Sequence, residues 1–85
     1  MFYVYILKSK KDDKLYIGYT NDLKRMLQEH NSGENKSTKY RLPLELIYYE
    51  AYKSKADAEK REDMLKIQGY AMGGVKRRIA NSLKA

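Results

Sequence analysis

No cysteine occurs in these 85 residues, and only one histidine, His30. The first absence removes disulfides and thiolate zinc sites and is compatible with a reducing compartment. The second excludes a cluster of histidine metal ligands. No stretch approaches the ~20 consecutive apolar residues that a membrane span needs, and the opening Met1-Phe2-Tyr3-Val4 lacks the basic lead of a secretory signal. A cytoplasmic chain with no membrane partner is therefore expected. Internal repeats, linkers and low-complexity tracts are missing too, so residues 1–85 are expected to form a single domain. At this length roughly 60–65% of the unfolded surface can be buried, which allows a small core but little enclosed volume, so any site should be an open groove. Acidic residues stop at Asp63, after which come Lys66, Lys76, Arg77, Arg78 and Lys84. Eighteen Lys and Arg against eleven Asp and Glu leave a net charge of +7. That excess favours a polyanionic partner such as DNA or RNA over a merely solubilising tail.

What is present begins with two apolar, tyrosine-bearing runs, Phe2 to Leu7 and Leu15 to Tyr19, separated by the polar stretch Lys8–Lys14. β-branched and aromatic residues on either side of a polar turn predict a β-hairpin. If Ser9 pairs with Lys14, Leu7 lies opposite Tyr16 and Tyr5 opposite Gly18. Tyr5 and Tyr16 then sit diagonally on one sheet face. Gly18, lacking a side chain, is expected to leave open space beside the Tyr5 phenol. Thr20-Asn21-Asp22 supplies N-cap oxygens, and Leu23, Met26, Leu27 and His30 recur at helical spacing up to Asn31-Ser32-Gly33. Glu34 to Arg41 reads as a polar loop, and Leu44 to Tyr52 as a third strand. Ser54 and Asp57 resemble a capping box for a helix over Lys55–Gln68. Gly69 and Gly73-Gly74 punctuate, and Val75, Ile79 and Leu83 with Arg77 and Arg78 form a last basic helix. The expected fold is α+β, a three-stranded antiparallel sheet flanked by helices in the order β-β-α-β-α-α.

On the Lys55–Gln68 helix, Ala58, Arg61, Glu62 and Leu65 fall within one ~100° arc, which puts a carboxylate on the face that meets the sheet. An unpaired buried carboxylate is costly, so Glu62 needs a base such as Arg61, a hydrogen-bond donor or a metal ion. Each tyrosine taken singly reads first as a core or edge aromatic, and His30 equally well as the tip of an amphipathic stripe near a helix C-terminus.

Taken together, Tyr3-Val4-Tyr5, Tyr16-Ile17-Gly18, the Thr20-Asn21-Asp22-Leu23 helix start, His30-Asn31-Ser32-Gly33 and Glu62 resemble the GIY-YIG nuclease superfamily, particularly small stand-alone bacterial members related to the nuclease domain of the excinuclease C subunit. The first triplet departs from the family name at two of three places and keeps its tyrosine. The resemblance spans about residues 2–67. It implies a fold of the kind just described and a DNA endonuclease related to repair, acting on branched, flapped or single-stranded structures. It also implies Tyr16 as general base with Tyr5 beside it, His30 orienting water or phosphate, and Glu62 holding one divalent metal. Magnesium, held mostly by water and substrate phosphate, suits a single protein carboxylate. A free phenol titrates near ~10, so a tyrosine base needs the metal, lysines or a helix field to lower it. Lys36, Lys39 and Arg41 in the loop, Arg25 on the first helix, and Lys76, Arg77 and Arg78 near the C-terminus are candidates for meeting nucleic-acid phosphates.

At the place where the family carries an arginine that reaches the scissile phosphate, this chain has Met26. By periodicity Met26 belongs to the apolar stripe. Arg25 is adjacent, but one residue turns 100° about a helix and aims its guanidinium elsewhere. Losing one preorganised donor typically costs about 10²–10³ in rate. The alternative to the nuclease is thus a catalytically weak or inactive module that only binds nucleic acid. A third reading is an interaction domain in which Tyr48, Tyr49 and Tyr52 form a protein-contact patch.

Overall fold

The computed structural model describes residues 1–67 and 69–84. Strands β1 (Phe2–Ser9), β2 (Leu15–Thr20) and β3 (Leu44–Tyr52) form one antiparallel sheet in the order β2-β1-β3. The hairpin takes the expected register, with Tyr5 opposite Gly18, Leu7 opposite Tyr16, and the Ser9 amide donating to the Lys14 carbonyl at 2.9 Å.

The central strand is covered on both sides, which explains its unbroken apolar run. Val4 and Ile6 point to one face and bury with Ala58, Leu65 and Val75; Tyr5 and Leu7 point to the other and bury with Met26 and Leu44. The first cluster belongs to helices α2 (Lys55–Ile67) and α3 (Gly69–Arg78), the second to α1 (Leu23–Asn31). Asp22 caps α1, its side chain accepting from the Arg25 amide at 3.0 Å, and Gly33 ends the turn at φ +83°, a conformation that favours glycine. Asn31 then ties the end of α1 to β3. Its side chain accepts from the Leu44 amide at 2.8 Å and donates to the Leu44 carbonyl at 3.0 Å, which brackets His30 against the sheet.

The order β-β-α-β-α-α holds, with the C-terminal helical stretch divided after Arg78 into α3 and a short α4 (Ala80–Lys84). The expected end of α2 at Gln68 lies outside the described residues. Gly73-Gly74, expected as a break, instead lies inside α3. Each glycine costs a helix up to ~1 kcal/mol, but Ala71, Met72, Val75 and Ile79 pack on the core around the pair, and tertiary packing outweighs propensity. Arg77 leans back over the surface the glycines leave bare; a Cβ built at Gly73 would lie 3.6 Å from its Nη1.

On the α2 side of β3, Tyr48 and Tyr52 each donate to the Glu50 carboxylate at 2.5 Å, and Arg61 grips the same carboxylate at 2.9 and 3.1 Å. Arg61, one candidate partner for Glu62, is consumed here. The cluster also corrects the expected tyrosine patch. Alternate strand residues point to opposite sides, so Tyr48 and Tyr52 are spent on Glu50 while exposed Tyr49 meets Tyr3 edge-on across the other face, 5.8 Å between centroids.

Candidate active site

Tyr5 and Tyr16 share the α1 face because their cross-strand partners, Gly18 and Leu7, fix the register. Glu62 comes from α2, which packs along β1 and β2. The three side chains meet His30 in one open groove of about 320 Å³, lined also by Gly18, Thr38 and Lys66. All four residues singled out for chemistry therefore converge. A larger hollow of 620 Å³ lies between the hairpin turn and the C-terminal helices, lined by Lys8, Lys14 and Lys76 among others. Among the described residues it contains no phenol and no imidazole, and their one carboxylate there, Asp13, stands 3.8 Å from the Lys8 ammonium.

The space over Gly18 is not empty as expected. The Tyr5 ring fills it: a Cβ built at Gly18 would stand 2.6 Å from the Tyr5 Cζ. Glycine is needed here for the phenol to lie flat across β2, so the close approach is internal to the protein. Burial, and then the Glu62 and Glu29 carboxylates, push the Tyr5 phenol above its ordinary value of 10.0. Tyr5 thus stays protonated and offers a hydrogen-bond donor.

His30 is buried, with Nδ1 2.8 Å from the Thr38 hydroxyl and its ring edge-on to Tyr5, 6.4 Å between centroids. Burial holds the imidazole below 6.5, against an opposing pull from Glu29. It is accordingly neutral at pH 7, and with Nδ1 engaged by Thr38 the remaining ring nitrogen, Nε2, has no hydrogen-bond partner among the described residues. Glu62 keeps 15% of its side chain exposed and pairs with Lys66, Oε2 to Nζ 3.1 Å, one helical turn on. Its partner is a lysine that the sequence reading passed over. Among the described residues no three carboxylate, imidazole or thiol groups cluster as metal ligands. One carboxylate amid phenols and a hydroxyl is an all-oxygen set apart from His30, which suits a hard divalent cation that keeps most of its waters.

The basic candidates lie elsewhere. Arg25 donates to Asn21 at 2.9 Å and stands 3.6 Å from Glu29, outside the tyrosine groove. Lys36 is exposed, Lys39 sits 4.9 Å over the Tyr40 ring, and Arg41 is 3.1 Å from Asp12. The 34–41 loop does reach the groove, but through Asn35, Ser37 and Thr38. Lys76 faces the other hollow, and Arg78 lies beside the Tyr48 phenol. Met26 is 5% exposed, packed with Tyr5, Leu7 and Leu44. It borders an arm of the groove whose other walls include Glu29 and Glu34 and no cation. Spacing would have found Lys66, since i,i+4 pairs face each other on a helix. Nothing local marks Thr38, whose role depends on where the loop folds.

The family profile described as the GIY-YIG catalytic domain matches residues 1–73. UPF0213 proteins of Streptococcus pyogenes strains Manfredo and SSI-1 are each 48% identical over 65 residues, covering 75% of this chain and 70% of theirs. The solution NMR structure of a UPF0213 protein from Bacillus halodurans superposes with a TM-score of 0.54 at 36% identity, covering 88% of this chain and 82% of that one. No helix among the described residues is long and apolar enough to cross a membrane.

Proposed function

Since the chain belongs to the GIY-YIG catalytic domain family, we propose that it is a magnesium-dependent endonuclease that hydrolyses DNA phosphodiester bonds in the cytoplasm, with branched or flapped repair intermediates as its substrates. The observation that carries this reading is the convergence of Tyr5, Tyr16, His30 and Glu62 on one groove. The reaction adds water across a P–O bond. The water oxygen bonds phosphorus as Tyr16 takes its proton as general base, the bond to the leaving sugar oxygen breaks, and that oxygen takes a proton from solvent. Tyr5, kept protonated, donates a hydrogen bond to the phosphate or to the incoming water. His30 remains neutral and holds its place through Thr38, so it orients without competing as a cation. Glu62 would hold the magnesium ion, which supplies charge neutralisation at the phosphoryl and leaving oxygens. The groove's openness fits a strand laid across the surface, with no need for an enclosed pocket.

A second reading, a module that binds nucleic acid without cutting it, is favoured by the apolar setting of Met26 and by the carboxylates lining the arm beside it. One experiment separates the two. Purified protein is incubated with duplex, flapped and branched DNA in Mg²⁺, beside Glu62→Ala. Cleavage that drops at least about 10²-fold in Glu62→Ala, with DNA binding retained, is the expected result. Salt-sensitive binding with no cutting in any preparation would make the second reading correct.

A further inference from the structure

Among the described residues, Lys66 supplies the only positive charge in the groove that gathers Tyr5, Tyr16, His30 and Glu62. The neighbouring arm, reached past Met26, contains Glu29 and Glu34 and no cation. A phosphate therefore meets different surroundings at the two ends of the site: Glu34 and an Arg25-paired Glu29 on the α1 side, an ammonium on the α2 side. The geometry points to Lys66 as the residue that contacts the scissile phosphate in this chain, in place of a cation from α1, and so to a substrate strand that runs over the α2 side of the groove. The inference rests on the nuclease reading above and adds to it which cation serves and from which helix.

Three features support it. Met26 is sealed into the core between Tyr5, Leu7 and Leu44, so that position offers no charge. Arg25, the nearest basic residue along α1, is held by Asn21 and Glu29 and lines other hollows. Lys66, by contrast, keeps half of its side chain exposed and has one partner, Glu62 at 3.1 Å. With the ammonium half exposed, water replaces the lost contact as Lys66 leaves it. When Glu62 turns to a divalent ion, Lys66 loses that partner and is placed to meet the substrate's phosphate oxygens. The pair thus acts as a latch in the free protein: it orients the carboxylate, and it holds a phosphate-binding group in reserve one helical turn away.

The role has opposite signatures on two ligands, which a merely structural lysine would not show. Removing Lys66 frees Glu62 and should tighten Mn²⁺ binding to the DNA-free protein several-fold by calorimetry. It should also weaken DNA. With a flapped oligonucleotide in a fixed concentration of Ca²⁺, replacing Mg²⁺ to suppress cutting, the slope of log K against log salt in Lys66→Ala should be shallower by about 0.7–0.9, the amount for one phosphate contact. In Mg²⁺, kcat should fall about 10²-fold, and Lys66→Arg, which keeps the charge, should recover most of both losses. Circular dichroism checks that each variant folds. Wild-type levels of cutting together with an unchanged salt slope in Lys66→Ala would overturn the role of Lys66 and leave the nuclease reading standing. If the wild-type protein binds without cutting, the slope still decides: a reduced slope supports the contact and an equal one refutes it. Wild-type protein that neither binds nor cuts any DNA tested sinks the nuclease reading and this role with it.

Discussion

Gly18 is the residue whose part in the site is least visible from its own chemistry. It contributes no functional group, yet the phenol of Tyr5 lies where its side chain would be. Gly18→Ala forces a rigid ring to move, and overpacking of this kind typically costs 1–3 kcal/mol. The larger expected effect is on activity. A displaced phenol is misplaced relative to Tyr16 and the phosphate, and an error of about 1 Å can cost roughly 10²-fold. Cleavage assays beside thermal melts should show a rate loss far larger than the stability loss. Combined with Tyr5→Phe, the substitution should add little, because both act through the same oxygen. Equal rates for Gly18→Ala and wild type would mean that Tyr5 does not act through its hydroxyl.

The β3 strand and α2 are held together by a carboxylate with three donors. Burial pulls the Glu50 carboxyl upward, but bonds from Arg61, Tyr48 and Tyr52 outweigh it and keep it below the ordinary range. The same contacts act on the phenols. Burial, followed by the Glu50 bond and charge, raises Tyr48 and pushes Tyr52 up to about 12. In the unfolded chain these phenols start to ionise near 10.0. Between pH 10 and 12 the folded protein therefore holds more protons than the unfolded one, and stability must fall as pH rises through that window. The melting temperature should drop between pH 10 and 12, and drop less in Tyr52→Phe, which has no phenol to ionise there. Parallel curves for the two proteins would show that the cluster is not what links β3 to alkaline stability. The three strands, the hairpin register and the first helix were all readable in the sequence, because their signals lie within ten residues of one another, although β1 runs on to Ser9 and β2 to Thr20. The continuation of α3 through Gly73-Gly74 was not, since its stabilisation comes from a sheet formed seventy residues earlier.

Over the whole molecule, the net charge of +7 is not gathered at the site. One basic set, Lys8, Lys14 and Lys76, lines the hollow between the hairpin turn and the C-terminal helices, built partly from residues beyond the matched 1–73. With a longest dimension of 29 Å, the protein covers about eight base pairs of duplex at 3.4 Å each. Charges outside the tyrosine groove attract and hold the substrate without touching the reacting atoms. Replacing Lys14 and Lys76 together by alanine should therefore raise KM roughly threefold to tenfold at low salt and leave kcat unchanged. A fall in kcat with KM preserved would place this surface in the reaction and not in substrate capture.

Local pattern was enough to determine the hairpin and its register, the capped first helix, the third strand, and the placing of Tyr5 and Tyr16 on one sheet face and of Glu62 on the core side of its helix. Each depends on alternation, helical spacing or turn chemistry acting over a few residues. Tertiary structure alone decided that Arg61 would serve Glu50, that Thr38 would hold the imidazole, and that Tyr5 would occupy the space over Gly18. Those outcomes depend on which side chains the packing of α1, α2 and the 34–41 loop brings within bonding distance, and separation along the chain carries no information about that.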